Sequence, residues 1–319
     1  MNAVWIILLF LLGLALTVKG GDFFVDASSW IAEVSGIPKF IVGATIVSIA
    51  TTLPELLVSL MAASQGSIGL AVGNAVGSVT ANVGLIMALS LIFMPAVVQR
   101  KEYAFKLCLL VTSILLLLLF TLSGQLSIPG SIVMLALFVA FMAENLFSAR
   151  RQHTAVSADE GPARDKKTIR VNIAKFVLGA AGIVLGAQLM VDNGTAIAAL
   201  LGIPDAIIGA TLVAIGTSLP ELVTTLTAIA KRQSSLSIGN IVGANIIDLT
   251  IILPLCAVVS GKPLPVLAQN IQLDMPFCLA LVLIAVAPTL ITGKLKRAQG
   301  AVMLLVYAAY VALLVISIG

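Results

Sequence analysis

Three acidic residues stand where an apolar chain tolerates few. Glu55, Glu221 and Asp248 each lie in the middle of a long hydrophobic run, where a charged side chain costs about 2.5 to 3.5 kcal/mol on the helix-insertion scale. Acids retained at that cost face a wet interior and bind something. The alternative pairs each with a buried base, but no Lys or Arg occupies the central part of any predicted crossing. Thr51 and Glu55 are four residues apart and Thr52 sits three before the acid, so on a helix two hydroxyls and a carboxylate project from one side. Thr217, Ser218 and Glu221 repeat the arrangement. Pro54 and Pro220 each remove a backbone donor and obstruct the preceding turn, freeing carbonyl oxygens just before the acid. A broken helix at membrane depth is tolerated where it lines a cavity.

All of these groups are oxygens, with no convergent His or Cys. Oxygen cages suit hard cations: calcium takes about six to eight such ligands, whereas softer metals favour imidazole or thiolate. Two carboxylates balance one divalent ion, and sodium ions or protons can neutralise them instead, which is a physical basis for exchange. A second polar stripe follows downstream. Asn74, Ser78 and Asn82 keep a four-residue spacing, as do Asn240, Ala244 and Asp248. Asn74 and Asn240 suit either interhelical hydrogen bonding or lining the ion route. Gly69, Gly73 and Gly77, with Gly239 and Gly243, make small faces expected to pack against another helix without touching a ligand. Glu144 and Asp274, near the ends of their runs, are expected to be solvated interfacial acids.

The elements that must carry these groups are read from composition. Of 319 residues, 60% are hydrophobic and 10% charged, far below the quarter or so of charged residues typical of soluble domains. Continuous apolar runs of about 20 residues predict helices that span a bilayer. A closed β-barrel would instead show short alternating segments. Ten crossings are expected, at 2–20, 38–63, 70–97, 104–122, 128–147, 172–191, 204–230, 236–260, 273–292 and 298–318. The first, which lacks a basic leader and a clear cleavage site, reads as a retained helix and not a signal peptide. Cys108, Cys256 and Cys278 lie in apolar runs and read as small buried hydrophobes. His153 falls in the sole long hydrophilic stretch, a linker over 149–171 that separates a first five-helix repeat at 1–148 from a second at 172–319. With both termini outside, every Lys and Arg except Lys262 lies on the cytoplasmic side, as the positive-inside rule requires. The net charge of +4 therefore belongs to topology and gives no hint of nucleic acid.

The segments GIPKFIVGATIVSIATTLPE (36–55) and GIPDAIIGATLVAIGTSLPE (202–221) are identical at 13 positions at a constant offset of 166. The match continues as VGNAVGS (72–78) against IGNIVGA (238–244). Five crossings is an odd number, so the second copy enters the membrane inverted. Inverted repeats build a pocket near the bilayer midplane around which moving elements give alternating access. The expected architecture is thus an all-α membrane protein of ten helices in two inverted five-helix repeats, and the expected function is transport.

The paired segments GATIVSIATTLPE and GATLVAIGTSLPE, each followed by a GN.VG segment, resemble the two alpha repeats of the sodium/calcium exchanger family, prokaryotic type, within the cation/calcium exchanger superfamily. The resemblance covers essentially the whole chain. It implies that the second, third, seventh and eighth helices form an ion-binding core past which a first and sixth helix pair slides. It implies Glu55 and Glu221 as shared calcium and sodium ligands helped by Thr51 and Thr217. It places Thr52, Ser78 and Ser218 at hydroxyl positions of the sodium sites, Ser48 and Ala214 at backbone-carbonyl positions, and Asn82 with Asp248 as a central polar pair. Two departures stand out: ATTLPE replaces the usual Gly-Thr-Ser, and Ala244 replaces a Ser opposite Ser78. The second keeps the proton open as the coupling ion in place of sodium.

The expected activity is calcium/sodium antiport by a protein that is not an enzyme. A proton-coupled divalent-cation antiporter is the nearest alternative and a passive cation channel a more distant one. No HExxH motif exists, and three acids beside ion ligands do not make a protease dyad. The expected partners are membrane lipid, Ca2+ and Na+, with H+ as the rival; neither a prosthetic group, nucleic acid nor an obligatory protein partner is expected. The chain should be a multi-pass protein of the cell membrane.

Overall fold

Apolar runs in lipid must satisfy every backbone group internally, and here they do so as helices. The computed structural model describes residues 3–64, 66, 68–97, 100–152, 165–200, 216 and 218–318. The first helix spans Ala3–Ser35, and the second runs Lys39–Thr51 and Leu53–Ser64 with a bend of 43° between them. The third comprises Ile68–Ala81, a π-helical turn Asn82–Met87, and Ala88–Phe93. The fourth is Arg100–Thr121, the fifth Ile128–Gln152 and the sixth Lys166–Leu200. The seventh is described over Leu219–Ala230. The eighth comprises Ser234–Ile247, a π turn Asp248–Ile252, and Leu253–Ser260. The ninth joins a π turn Asn270–Asp274 to Met275–Thr292, and the tenth is Arg297–Ile318.

The repeat is visible in the element bounds. Leu53–Ser64 matches Leu219–Ala230, Ile68–Ala81 matches Ser234–Ile247, and the π turns opened by Asn82 and Asp248 match as well, all at the 166-residue offset of the sequence.

Two small strand pairs join the halves. Ala96–Val97 after the third helix pairs antiparallel with Lys294–Leu295 between the ninth and tenth. Gln125–Leu126 between the fourth and fifth pairs with Leu264–Pro265 between the eighth and ninth. Paired loops must lie on one face of the membrane. Among the described residues, the fourth, fifth, sixth, eighth and ninth helices separate Val97 from Lys294, so parity requires one more crossing, supplied where Leu219–Ala230 lies. The chain is an all-α membrane protein of ten transmembrane helices in two inverted repeats.

The first helix runs well past its expected end at residue 20. Lys19, Asp22 and Asp26 lower the local hydropathy but recur at helical spacing, while Phe24, Val25 and Ala27 are buried on the other side. The helix stops only near Gly36, whose φ is 67°, and Pro38. The sixth likewise extends beyond the expected 172–191. Asp165 accepts the backbone N–H groups of Lys167 and Thr168 at its start, and the hydrogen bonds from Thr168 hold its carboxyl below the usual value. The first and sixth helices touch backbone to backbone: a Cβ on Gly20 would lie 2.7 Å from Ile183 N. His153 lies outside the described residues.

Candidate cation site

The bend in the second helix is centred on Thr52, whose φ and ψ are −84° and −3°. Pro54 explains it, because a proline in a helix cannot donate to the carbonyl four residues back, that of Ala50. Ser218, the equivalent residue before Pro220, has φ −87° and ψ 6°. The two pre-proline residues thus share one backbone conformation, and each leads into a glutamate that lies in the protein interior. Glu55 and Glu221 are both 1% exposed. The halves meet here: the Thr52 hydroxyl donates to Glu221 Oε1 at 3.5 Å, and Thr51 donates to Asn240 Oδ1 of the eighth helix at 3.2 Å.

The third and eighth helices bring the remaining oxygens. Asn82 and Asp248 each open a π turn and are buried. Such turns displace a side chain from its regular α-helical direction and recur at functional sites. The carboxylates of Glu55, Glu221 and Asp248 are close enough for their charges to repel one another. Among the described residues no salt bridge reaches any of them. Among the described residues no donor from another residue meets the Glu55 carboxylate, and both oxygens of Asp248, Ser78 Oγ, Ser218 Oγ and Asn82 Oδ1 are buried without a hydrogen-bond partner. Buried acceptors left this way are costly unless a cation supplies the counter-charge. Among the described residues no three acids, histidines or cysteines alone could chelate a metal. Any cation here must also draw on hydroxyl, amide and carbonyl oxygens.

The other expected site residues divide clearly. Ser48 is buried, and its carbonyl accepts the Thr52 N–H at 2.9 Å and the Thr51 hydroxyl at 3.4 Å. The single Thr51 proton serves either this carbonyl or Asn240 Oδ1, so one Ser48 lone pair is open whenever Thr51 donates to Asn240. Ala244 is fully buried one turn before the eighth-helix acid and offers no side-chain oxygen, whereas Ser78 keeps its hydroxyl. Thr217 and Ala214 lie outside the described residues. Asn74 donates to the Glu55 carbonyl at 3.3 Å and to Ser59 Oγ at 3.0 Å, so it ties the third helix to the second. Gly239 and Gly243 pack as expected; a Cβ on Gly239 would lie 2.2 Å from the Phe40 carbonyl oxygen. Phe24, Ala180, Ile183 and Val184 of the first and sixth helices close over Thr51 and Pro220, leaving a gap too small for water.

Three expectations are corrected. Asp274 is not a solvated interfacial acid: it is 4% exposed and accepts hydrogen bonds from Asn270 at 2.7 Å and Tyr310 at 3.1 Å. The Asn270–Asp274 spacing of four was readable, but the Tyr310 partner on another helix was not. Glu144 is only half-exposed and pairs with Lys106 at 3.9 Å, and this lysine is wholly buried over the Phe40 ring. Cys108 is exposed, while Cys256 and Cys278 are buried as expected.

The chain matches the family model described as sodium/calcium exchanger protein over residues 5–147 and 171–316. It is 31% identical over 343 residues to the sodium/calcium exchanger MaX1 of Methanosarcina acetivorans, covering 96% of this chain and 97% of that protein. It is 36% identical to the inner membrane protein YrbG of Escherichia coli, covering 82% of each. A solved structure of the sodium-calcium exchanger NCX_Mj, soaked with Na+ and Sr2+, resembles it with a TM-score of 0.84 at 30% identity, over 98% of this chain and 99% of that one. Doubled Pro-Glu segments, π turns that Asn82 and Asp248 open at the repeat offset, and a family match that falls in two blocks converge on one conclusion: this chain belongs to the sodium/calcium exchanger family.

Proposed function

We propose that this chain exchanges calcium for sodium across the membrane by alternating access, with both ions as transported substrates and no chemical transformation. The observation that carries this reading is the meeting of Glu55 and Glu221, one from each inverted half, as buried carboxylates beside the Thr51 and Thr52 hydroxyls. Two carboxylates neutralise one calcium ion, and the same charges suit sodium ions that arrive singly. One site then serves both substrates in turn. Thr51, Thr52, Ser78, Ser218, Asn82 and Asp248 complete the oxygen set, with Thr217 and the carbonyls of Ser48 and Ala214 as further ligands. The first and sixth helices, packed as one body, are the element that moves.

The repeats are taken as 1–148 and 172–319, with a cytoplasmic linker at 149–171 and both termini outside; the near-exclusive placement of Lys and Arg on one side supports that orientation. Lipid is the surrounding solvent, and no obligatory protein partner enters the mechanism.

Ala244 favours a second reading, in which protons replace sodium as coupling ion, because a sodium cage short of one hydroxyl is undercoordinated. Calcium uptake into proteoliposomes under separately imposed sodium and proton gradients decides between them. Uptake driven by outward sodium alone supports the first reading, uptake driven by outward protons alone supports the second, and uptake indifferent to both removes the antiporter.

A further inference from the structure

On the face that carries the Ala96–Val97 and Lys294–Leu295 pair, a shallow cavity of about 410 Å³ is lined by Pro95, Val97, Lys294, Lys296 and Arg297 among others. Strand alternation turns Leu295 inward, where it is 3% exposed, and leaves Lys294 and Lys296 outward on one side. Arg297 follows as the first residue of the tenth helix, whose N-terminal dipole adds positive potential.

The backbone around these bases is pinned. Gln299 accepts the Lys296 N–H at 2.8 Å and donates to the Ala285 carbonyl and to Thr289 Oγ1, while Thr292 Oγ1 accepts the Lys294 N–H at 3.2 Å. The backbone that carries the three cations is thus fixed, and no carboxylate among the described side chains pairs with any of them. Two exposed apolar residues stand at the ends of the helices that lead into this pair of strands, Phe93 at 63%, two before Pro95, and Ile291 at 74%, three before Lys294. A free anion has no use for that flank. A phosphodiester carrying acyl chains uses both parts, the bases for its phosphate and the apolar ends for its chains.

We propose that this cavity is a binding site for the headgroup of an anionic phospholipid. Lys294, Lys296 and Arg297 hold the phosphate, and Phe93 and Ile291 receive the chains. The site is separate from the cation site and does not depend on the exchange reading.

The bases of any membrane protein crowd one face for topological reasons alone, so the test must separate this cavity from general charge. The purified full chain is reconstituted in phosphatidylcholine nanodiscs containing graded phosphatidylglycerol, and lipid retained through detergent extraction is counted by mass spectrometry. The parent should retain phosphatidylglycerol in preference to phosphatidylcholine. The variant Lys294→Gln/Lys296→Gln/Arg297→Gln should lose that preference by about tenfold to 100-fold, since each base near an anionic surface is worth about fivefold. Lys296→Gln alone should lose part of it, which keeps the test open if the triple variant fails to fold. A control neutralising Lys166, Lys167 and Arg170 removes the same charge outside the cavity and should retain the lipid. Equal retention by parent and both cavity variants overturns the proposal, as does equal loss in the control. Displacement of the lipid by inorganic phosphate at millimolar concentration also overturns it, in favour of a simple anion site.

Discussion

Glu55 and Glu221 are equivalent by sequence; among the described residues the Glu221 carboxylate receives the Thr52 hydroxyl, and no donor from another residue reaches the Glu55 carboxylate. In the proposed shared site both charges balance one calcium ion. Glu55→Gln or Glu221→Gln should lower calcium exchange in proteoliposomes by at least about 100-fold, because a ligand charge in a dry site is worth several kcal/mol and each 1.4 kcal/mol is tenfold. The variants should still elute as folded protein, and parental exchange by either would refute the shared site. Ala244→Ser restores an oxygen opposite Ser78 with little added volume. A net hydrogen bond of about 0.5 to 1.5 kcal/mol should reduce the sodium concentration for half-maximal exchange by roughly twofold to tenfold, and an unchanged sodium titration would refute the weakened sodium site, pointing to water in the gap or to protons as the coupling ion. At this scale the acids were legible because membrane depth makes a charge conspicuous. Asp274 was misread for a related reason: its distance from the centre of its run suggested water, and only the fold brings Tyr310 to it.

Helix breaks were legible in the second helix, because Pro54 has a fixed chemical consequence, and illegible in the π turns, because Asn82 and Asp248 carry no local signal for an extra residue in the turn. The hydropathy bounds failed for the first and sixth helices, where charged residues ride on a helix that continues beneath them. How closely the second and eighth helices pack was only half readable; the glycines announced a small face, but not which backbone would meet it. Gly239→Ala tests that contact. Its new methyl would fall 2.2 Å from the Phe40 carbonyl oxygen, a backbone atom that cannot swing aside, so overpacking should cost about 1 to 3 kcal/mol. A lowered thermal unfolding midpoint in detergent is the expected result, and a midpoint equal to the parent's would mean that the two helices part easily.

The inverted halves would be equivalent if their sequences were, and they are not. Lys231 donates to Asp26 Oδ1 at 2.8 Å and to the Asp22 carbonyl at 2.9 Å, tying the first helix to the end of the seventh. At the 166-residue offset, the positions of Asp22, Asp26 and Lys231 are held by Gln188, Asp192 and Gln65, and Gln188 donates to Asp192 at 2.8 Å instead. If the halves trade conformations during transport, the lysine tie exists in one state and has no ionic counterpart in the other. Lys231→Gln should therefore shift the balance of the two states by up to about fivefold, the range of an exposed ion pair, read as a redistribution of distances between spin labels on the first and eighth helices. An unchanged distribution would show that the tie carries no bias. The duplication made the overall architecture legible from sequence, while this asymmetry became meaningful only when three residues from distant stretches were seen together. The crossed strand pairs bear on how the molecule is put together. Each fastens a loop of one repeat to a loop of the other, at both faces, so the halves hold each other by contacts that do not involve the peptide connecting them. The covalent join is then dispensable: a polypeptide ending at Gln152 and another beginning at Asp165, made in the same cell, should find each other and co-purify as a working exchanger, like two genes that never fused.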